Sequence, residues 1–267
     1  MSQDTTAPTP PALVEEVFGG LADKAALPLR ALVLLGMLAG VYIGFGGLFA
    51  TVALAGAESL PYGLGQVLAG GVFSLGLVLV LLAGAELFTG NMLFAGPVAA
   101  GRIPLRQAAR ALGIVYLANL AGAVALACVV MAAGLHDAGQ GAVGRAALNL
   151  GANKVGNGFM ATFASGVLAN MLVCLAVWLA AAGRTVTQKL AGIVLPVGAF
   201  VAAGLEHSVA NMYLLPYAWM VQGASGAAPV LSGGAMLGNL APATLGNMVG
   251  GAVVALAYWA AYGRGAR

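Results

Sequence analysis

The sequence predicts an all-α polytopic membrane protein with six transmembrane helices. Three observations lead to this fold class: only 7% of the 267 residues are charged, 61% are hydrophobic, and several runs longer than a bilayer crossing contain no charge. Soluble domains carry charge at roughly a quarter of their positions, and one crossing needs about 20 apolar residues. A soluble globular domain is therefore excluded. The formal net charge of only +3, without runs of basic residues, also excludes nucleic acid as a partner.

Residues 1–28 are predicted to precede the membrane domain as an arm followed by an interfacial helix. Asp4, Glu15, Glu16, Asp23 and Lys24 are scattered through this stretch, which is not the basic-then-apolar order of a secretory signal peptide. Prolines at positions 8, 10 and 11 indicate an unstructured arm. From residue 12 to 25, apolar side chains at helical spacing lie opposite Glu15, Glu16 and Lys24, which predicts an amphipathic helix at the membrane surface.

Charged residues mark the ends of the spans, which form one domain over residues 29–263, followed by a tail at 264–267. A stretch rich in Gly, Ser and Pro at 222–238 is predicted to be a loop before the last span. The predicted spans lie between Arg30 and Glu58, between Glu58 and Glu86, between Arg110 and His136, between Lys154 and Arg184, after Lys189 with an interruption at Glu206 and His207, and at about 239–262.

The distribution of basic residues predicts the orientation, because cytoplasmic loops retain Lys and Arg. An N-terminus inside the cell leaves only Arg145 and Lys154, in the loop between the third and fourth spans, on the outer side. Both termini are therefore expected in the cytoplasm of a protein of the plasma (inner) membrane. The basic residues then inside are Lys24, Arg30, Arg102, Arg106, Arg110, Arg184, Lys189, Arg264 and Arg267.

An internal repeat appears where the second and fifth spans are interrupted. Residues 84–92 and 204–212 share the pattern G-x-E-x-x-x-x-N-M at an offset of 120 residues. A weaker similarity relates Asn119 in the third span to Asn247 in the sixth. Two halves of three spans each must insert with opposite orientation, so the sequence predicts a 3+3 inverted repeat with broken second and fifth helices. Such repeats place a transport site near the middle of the bilayer.

The helix breaks suggest what could bind there. A half-helix that starts inside the membrane presents free N–H groups and a partial positive charge, which favour an anion. Thr89 and Ser208 occupy positions where they could cap these half-helices. Glu86 and Glu206 are expected to lie behind the pore, where each carboxylate accepts hydrogen bonds from backbone N–H groups of the breaks. The repeated Asn91 and Asn211 are assigned the same structural role.

Metal sites and cofactors are not expected. The chain has two histidines, His136 and His207, and its two cysteines, Cys128 and Cys174, lie within apolar runs. Neither a metal cluster nor a nucleophile with a base emerges from this set, so no enzymatic activity is predicted. A histidine within a membrane span is costly to bury, which marks His207 as a functional residue.

Three segments resemble the formate/nitrite transporter family over about residues 25–263. They are Glu86–Asn91 (ELFTGN), Asn170–Trp178 (NMLVCLAVW) and Gly204–Met212 (GLEHSVANM). The resemblance implies an aquaporin-like protomer, assembled as a homopentamer, in which each protomer has its own pore for small monovalent anions. The Gly- and Ala-rich first, third and sixth spans are consistent with close contacts between helices of an oligomer. Formate is the first candidate, while nitrite, acetate, lactate and hydrosulfide remain open.

The resemblance also implies roles for individual residues. His207 would line the pore centre, facing Thr89, and would exchange a proton with the permeating anion. Asn170 and Lys154 would be polar residues of the vestibule, although Lys154 in a loop is equally well explained as a solvated surface charge. The residues implied to form apolar constrictions are Phe73, Leu77, Phe88, Val173 and Phe200.

One different class of protein shares this architecture. An aquaporin-like channel for neutral solutes would also have six spans and two half-helices, but paired Asn-Pro-Ala motifs are expected there, and the sequence has none. The choice between a channel and a proton-coupled transporter is not decided by the sequence.

Overall fold

The structure is a computed structural model that describes residues 6–263, within which all regular secondary structure is helical. The predicted tail at 264–267 and the first five residues of the predicted arm lie outside this range. Short 3₁₀ turns lie at Ala57–Ser59, Met92–Phe94 and Leu135–Asp137, and a π-helical turn at Trp259–Gly263. The α-helices are α1 (Pro10–Ala25), α2 (Leu29–Leu54), α3 (Tyr62–Ala83), α4 (Phe88–Asn91), α5 (Ala95–Ala99), α6 (Leu105–Ala132), α7 (Ala142–Gly156), α8 (Phe159–Ala182), α9 (Val186–Ala202), α10 (Ser208–Ser225) and α11 (Gly233–Tyr258).

Six membrane crossings account for most of these helices. Among the described residues, α2, α3, α6, α8 and α11 with its π turn are each long and apolar enough to span a bilayer. The shorter apolar helix α9 continues after a break as α10, and the two together form the remaining crossing. The chain is therefore a polytopic membrane protein with six spans, as predicted.

Equivalent helices of the two halves make equivalent contacts. In the first half α2 packs against α3 and α6, and in the second half α8 packs against α9 and α11. The half-helices are exchanged, since α10 packs on α6 while α4, α5 and the turn between them pack on α11. This arrangement confirms the 3+3 inverted repeat with broken second and fifth helices, the aquaporin-like fold predicted from the sequence.

Glycines bring the helices of each half into close contact. A Cβ atom at Gly40 of α2 would collide with the Asn119 carbonyl oxygen of α6, and one at Gly250 of α11 would collide with the Val167 carbonyl oxygen of α8. The close approach that small residues permit is used here inside the protomer. The small residues of these spans were expected to permit close contacts between helices of an oligomer, and at Gly40 and Gly250 the close contacts lie inside the protomer.

Two segments differ from the sequence prediction. The stretch 222–238 is largely helical, because α10 extends to Ser225 and α11 begins at Gly233 rather than near 239. Ser232 makes this early start stable, since its hydroxyl accepts a hydrogen bond from the N–H of Ala235 at 3.2 Å. The loop predicted between the third and fourth spans also contains a helix, α7, which buries Val143 and Ala147.

The amphipathic helix α1 docks on the membrane domain. It begins at Pro10, so two of the prolines assigned to the arm form its first turn, where their missing N–H groups cost nothing. The Phe18 ring lies edge-on to Trp178, with a centroid separation of 6.4 Å. On the exposed side, Glu15 pairs with Arg102 at 2.6 Å and Glu16 with Arg184 at 2.9 Å.

These ion pairs predict a pH-dependent docking of α1. The hydrogen bond from Arg184 holds the pKa of Glu16 below its ordinary value of 4.5. The pair therefore stabilises the docked helix above that value, and its contribution is lost as the pH falls through the lowered pKa. A nitroxide at the exposed Ala12, in a Cys128→Ser background, should be immobilised at pH 7 and become more mobile as the pH falls through the lowered pKa of Glu16.

Two variants of α1 make this prediction specific. Glu15→Gln/Glu16→Gln should shift the spectrum at pH 7 towards the more mobile one, with an effect of about 1 kcal/mol or less per pair, because both pairs are exposed. Asp23→Asn is the matched control, since Asp23 is exposed on the same helix and makes no ion pair within residues 6–263. Identical spectra for the double variant and the wild type would contradict this role of the ion pairs.

Candidate functional site

The first helix break lies between α3 and α4 and is closed by one asparagine. Gly84 adopts a positive φ of 80° and ends α3. The N–H of Phe88, the first residue of α4, donates to Oδ1 of Asn119 at 2.9 Å. The Asn119 amide in turn donates to the carbonyl oxygens of Gly36 at 2.8 Å and Glu86 at 2.9 Å. A single buried side chain thus satisfies backbone groups of three segments.

The second break repeats this geometry with Asn247. Gly204 also has a positive φ, of 68°, after α9. The N–H of Ser208, the first residue of α10, donates to Oδ1 of Asn247 at 2.8 Å. The Asn247 amide donates to the carbonyl oxygens of Gly166 at 2.8 Å and Glu206 at 2.9 Å. The weak sequence similarity between the third and sixth spans therefore corresponds to the pair of residues that closes both breaks.

The predicted N-caps of the half-helices are wrong. Thr89 and Ser208 lie inside the first turns of α4 and α10, and the capping positions are Leu87 and His207. Leu87 has no capping group, whereas Nδ1 of His207 accepts a hydrogen bond from the N–H of Ala210 at 3.1 Å. Ser and Thr are the usual caps, so sequence statistics favour them, but here distant asparagines satisfy the first N–H groups.

Each break also holds a buried carboxylate paired with a lysine. Lys24 of α1 donates to Glu86 at 2.8 Å, and Lys154 of α7 donates to Glu206 at 3.1 Å. Lys24 precedes the start of α2 by five residues and Lys154 precedes the start of α8 by five, so the inverted repeat includes α1 and α7. Lys24 was not among the site residues expected from the sequence. The equal spacing of Lys24 and Lys154 before the first and fourth spans was a signal that could have identified it.

The two repeated asparagines complete the surroundings of these carboxylates. Asn91 donates to Glu86 at 2.8 Å, and Asn211 donates to Glu206 at 2.6 Å, each five residues along the chain. Asn239 adds a contact of 3.3 Å to Glu206 that the first break lacks. The expectation that the carboxylates accept backbone N–H groups is thus corrected, because side-chain amides and ammonium groups are their partners.

His207 and Thr89 meet where the two breaks face each other. Nε2 of His207 lies 2.9 Å from Oγ1 of Thr89, and both side chains are buried. Because Nδ1 accepts the Ala210 N–H, the hydrogen-bond network assigns the imidazole proton to Nε2, which donates to Thr89. The hydroxyl hydrogen of Thr89 then remains available to another acceptor.

Apolar side chains enclose this pair in a small cavity. A space of about 10 Å³ touches His207 and is lined by residues of both repeats. Phe73 and Phe200 pack edge to face with their ring centroids 5.6 Å apart, and the Phe200 ring lies 5.7 Å from the His207 ring. The apolar lining residues are Ile43, Phe73, Leu77, Leu87, Val173, Val197 and Phe200.

The structure corrects one residue of the predicted constriction. Leu87 lines the cavity of about 10 Å³, whereas Phe88 does not. Leu87 has an extended backbone conformation, with φ −104° and ψ 122°, so the two neighbouring side chains point to opposite sides. Phe88 instead packs edge-on to Tyr116 at 4.8 Å, away from His207.

The two predicted vestibule residues occupy different environments. A second cavity of about 80 Å³ is lined by Lys154, His207, Phe73 and Phe200, and the Lys154 side chain is 13% exposed. Lys154 is therefore not a freely solvated surface charge. Asn170 is fully buried, and its amide donates to the carbonyl oxygens of Thr89 at 3.1 Å and of Asn247 at 2.6 Å. It braces the two breaks and does not line this cavity.

A model of known transporters covers almost the whole of this arrangement. The family described as "Formate/nitrite transporter" matches residues 11–260. The chain belongs to the formate/nitrite transporter family. This assignment confirms the resemblance on which the sequence-based expectations rest.

Individual members of the formate/nitrite transporter family show the same similarity. The chain is 35% identical over 257 residues to "Formate channel FocA" of Escherichia coli strain K12, covering 91% of this chain and 90% of the relative. It is 38% identical over 264 residues to a "Probable formate transporter" of Methanothermobacter thermautotrophicus, covering 91% and 92%.

Solved structures agree with this membership. A "Pentameric formate channel with formate bound" superposes with a TM-score of 0.81 at 36% identity, covering 88% of this chain and 97% of that one. An "FNT family ion channel" gives the same TM-score at 30% identity, covering 94% and 98%. These relatives are transport channels, so the chain is a transport protein and not an enzyme.

The caps of the breaks lead to a prediction about stability. Asn247→Leu removes the partner of the Ser208 N–H and of two carbonyl oxygens, and each polar group left buried without a partner costs about 1–3 kcal/mol. The thermal midpoint of the purified protein should therefore fall by many degrees. Asn119→Leu should lower the thermal midpoint by a similar amount.

The exposed Asn149 of α7 offers a matched control. Asn149→Leu makes the same chemical change outside the breaks and should leave the thermal midpoint nearly unchanged. Equal midpoints for Asn247→Leu and Asn149→Leu would show that the asparagine caps are not essential.

Proposed function

We propose that the chain carries formate across the plasma (inner) membrane, with His207 exchanging a proton with the anion. The observation that supports this most directly is the contact of 2.9 Å between His207 and Thr89 at a small, apolar cavity. Relatives named formate channels and a structural neighbour with bound formate favour formate among the small monovalent anions. We assign the same homopentameric assembly as in that neighbour.

The apolar cavity favours passage of a neutral molecule. A charged group that enters such surroundings without a partner loses several kcal/mol of hydration energy, whereas its neutral acid loses much less. Transfer of one proton from a protonated imidazole to the formate carboxylate gives formic acid and a neutral imidazole. Formic acid then crosses the apolar constriction and releases its proton to water on the other side, which regenerates formate. The neutral imidazole takes up a proton from water on the side of entry before the next exchange.

The hydrogen bonds of His207 give this exchange a defined resting state. The imidazole is neutral, with its proton on Nε2, because Nδ1 accepts the N–H of Ala210. Protonation at Nδ1 must break that bond, and the charge of a nearby anion offsets the cost. The free hydroxyl hydrogen of Thr89 points to a role in orienting the anion beside the imidazole.

The lysine of each break attracts anions towards the pathway. One donor of the Lys154 ammonium is used by Glu206, and an ammonium group has three. An anion that reaches the cavity of about 80 Å³ can therefore bind Lys154 without breaking the ion pair. Lys24 and Glu86 have the equivalent role at the other entrance.

The replacement His207→Asn tests the proton-exchange step. It keeps hydrogen-bonding groups at the site but removes the imidazole, which is the group that titrates. Formate uptake into proteoliposomes should then no longer rise as the pH falls from 8 to 5. This range extends about 1–2 units on either side of the ordinary imidazole pKa. A residual leak of the bare anion should appear as current in a planar bilayer.

A second replacement separates protonation from packing in this test. Thr89→Val removes the hydroxyl and nearly keeps the volume, so uptake should fall while its pH dependence persists. If wild type and His207→Asn share one pH profile, the proton-exchange mechanism is excluded, and the anion pathway is then tested by formate uptake itself.

The role of Lys154 predicts a dependence on ionic strength. Lys154→Gln should lower formate uptake several-fold at low salt, and the difference should shrink above about 0.1 M, where charges are screened over about 10 Å. Arg145→Gln changes the net charge equally on the same helix, where Arg145 contacts only the Gln140 carbonyl oxygen by hydrogen bond within residues 6–263. Equal salt curves for the two variants would contradict an attracting role of Lys154.

The orientation proposed here places both termini and α1 in the cytoplasm, and α7 outside. Single cysteines at Glu58 and Gly226, both exposed, should then react with an impermeant reagent on intact cells, whereas one at Gly101 should not. The background carries Cys128→Ser, because Cys128 is exposed. Labelling of Gly101 from outside would reverse the orientation.

A further inference from the structure

A deep apolar groove lies on the outer surface of the protomer between α6 and α11, separate from the pore cavities. It has a volume of about 800 Å³. Leu105, Leu112 and Leu117 of α6 form one wall, Met248 and Leu256 of α11 form the other, and Phe88 lies at the base. Small side chains such as Gly113 leave this space open, since no atom lies within 4 Å of where its Cβ would be.

The lining of the groove suits a hydrocarbon chain. Its two hydroxyl-bearing side chains, Tyr116 and Thr244, bond to each other at 3.0 Å. Neither hydroxyl therefore requires a polar ligand. A groove without unsatisfied polar groups binds apolar ligands, and its affinity depends on the apolar area buried and on shape complementarity.

Two arginines stand at the edge of this groove near the start of α6. Arg106 and Arg110 are one turn apart and exposed, and α-helical geometry places them beside Gly113 and Leu117 on that edge. Within residues 6–263 neither has a carboxylate partner, in contrast to Arg102 with Glu15. Two free guanidinium groups at one end of an apolar groove match the head group of an anionic lipid.

We propose that the groove is a binding site for an anionic phospholipid. An acyl chain lies between α6 and α11, and the lipid phosphate is held by Arg106 and Arg110. Basic pockets between membrane helices on the cytoplasmic side bind acidic head groups in this way, at about 1 kcal/mol per basic residue. The proposal does not depend on which anion the pore carries.

Charge distinguishes this occupant from a second copy of the chain. On the side of the protein that carries α1, Glu15, Glu16 and Glu86 are already paired with basic residues. Among the described residues, Asp23 is then the one exposed carboxylate on that side without a basic partner. A neighbouring copy could therefore offer a single carboxylate to the two arginines. A phosphate supplies the missing negative charge directly.

The site has a direct connection to the pore. Phe88 at the base of the groove is the first residue of α4, and its N–H is held by Asn119. The next residue, Thr89, is the partner of His207. A lipid chain in the groove therefore packs against the turn that positions the polar centre of the pathway.

The test uses the intact oligomer in nanodiscs that contain phosphatidylglycerol with a photoreactive diazirine in its acyl chain. Irradiation should crosslink this lipid to peptides of α6 and α11 that line the groove. The same probe built on phosphatidylcholine should crosslink there about tenfold less, because it lacks the net negative charge. Particle masses are measured for every sample.

Two pairs of variants identify the determinants. Gly113→Phe fills the groove and should abolish crosslinking there, whereas Gly71→Phe, at a similarly open and exposed position of α3, should not. Arg106→Gln/Arg110→Gln should remove most of the preference for phosphatidylglycerol, whereas the equally charged change Arg30→Gln/Lys189→Gln should preserve it.

Three results would overturn the proposal. Equal crosslinking of the two lipids would exclude head-group recognition, and equal crosslinking of the two phenylalanine variants would exclude the groove as its place. Dissociation of the oligomer by Gly113→Phe but not by Gly71→Phe would show that a second copy occupies the groove. The arginine variants lie on the surface and test the site even if Gly113→Phe does not fold.

Discussion

The need to satisfy backbone groups inside the membrane is the constraint on which the rest of this structure depends. A broken helix exposes N–H and C=O groups where no water can pair with them, and each unpaired group costs several kcal/mol. Asn119 and Asn247 meet this cost, since each bonds the first N–H of a half-helix and two carbonyl oxygens. Their positions in α6 and α11 require the close packing that glycines permit.

The inverted repeat is nearly symmetric, and its departure from symmetry creates the chemistry. Leu87 and His207 hold equivalent positions before the two half-helices, 120 residues apart, and both line the cavity of about 10 Å³. One is apolar and the other can titrate. Thr89 of the first repeat bonds His207 of the second, so the polar centre forms only when the two halves meet.

Buried charge is organised in the same way in both halves. Each break carboxylate is buried but paired with a lysine from the helix that precedes its repeat, so neither is an unpaired buried charge. Within residues 6–263, Arg106 and Arg110 at the edge of the groove between α6 and α11 have no carboxylate partner. The proposed lipid contact and the proposed anion passage thus involve separate sets of basic residues.

The sequence alone determined the six spans and the inverted repeat, because charges, apolar runs and a repeated motif are local signals. It could not determine that 222–238 is mostly helical, since the cap by Ser232 outweighs the glycines there. The partner of a buried carboxylate, the side to which Phe88 points and the brace formed by Asn170 were decided only by the tertiary structure. These depend on atoms that lie tens of residues apart and are brought together by packing.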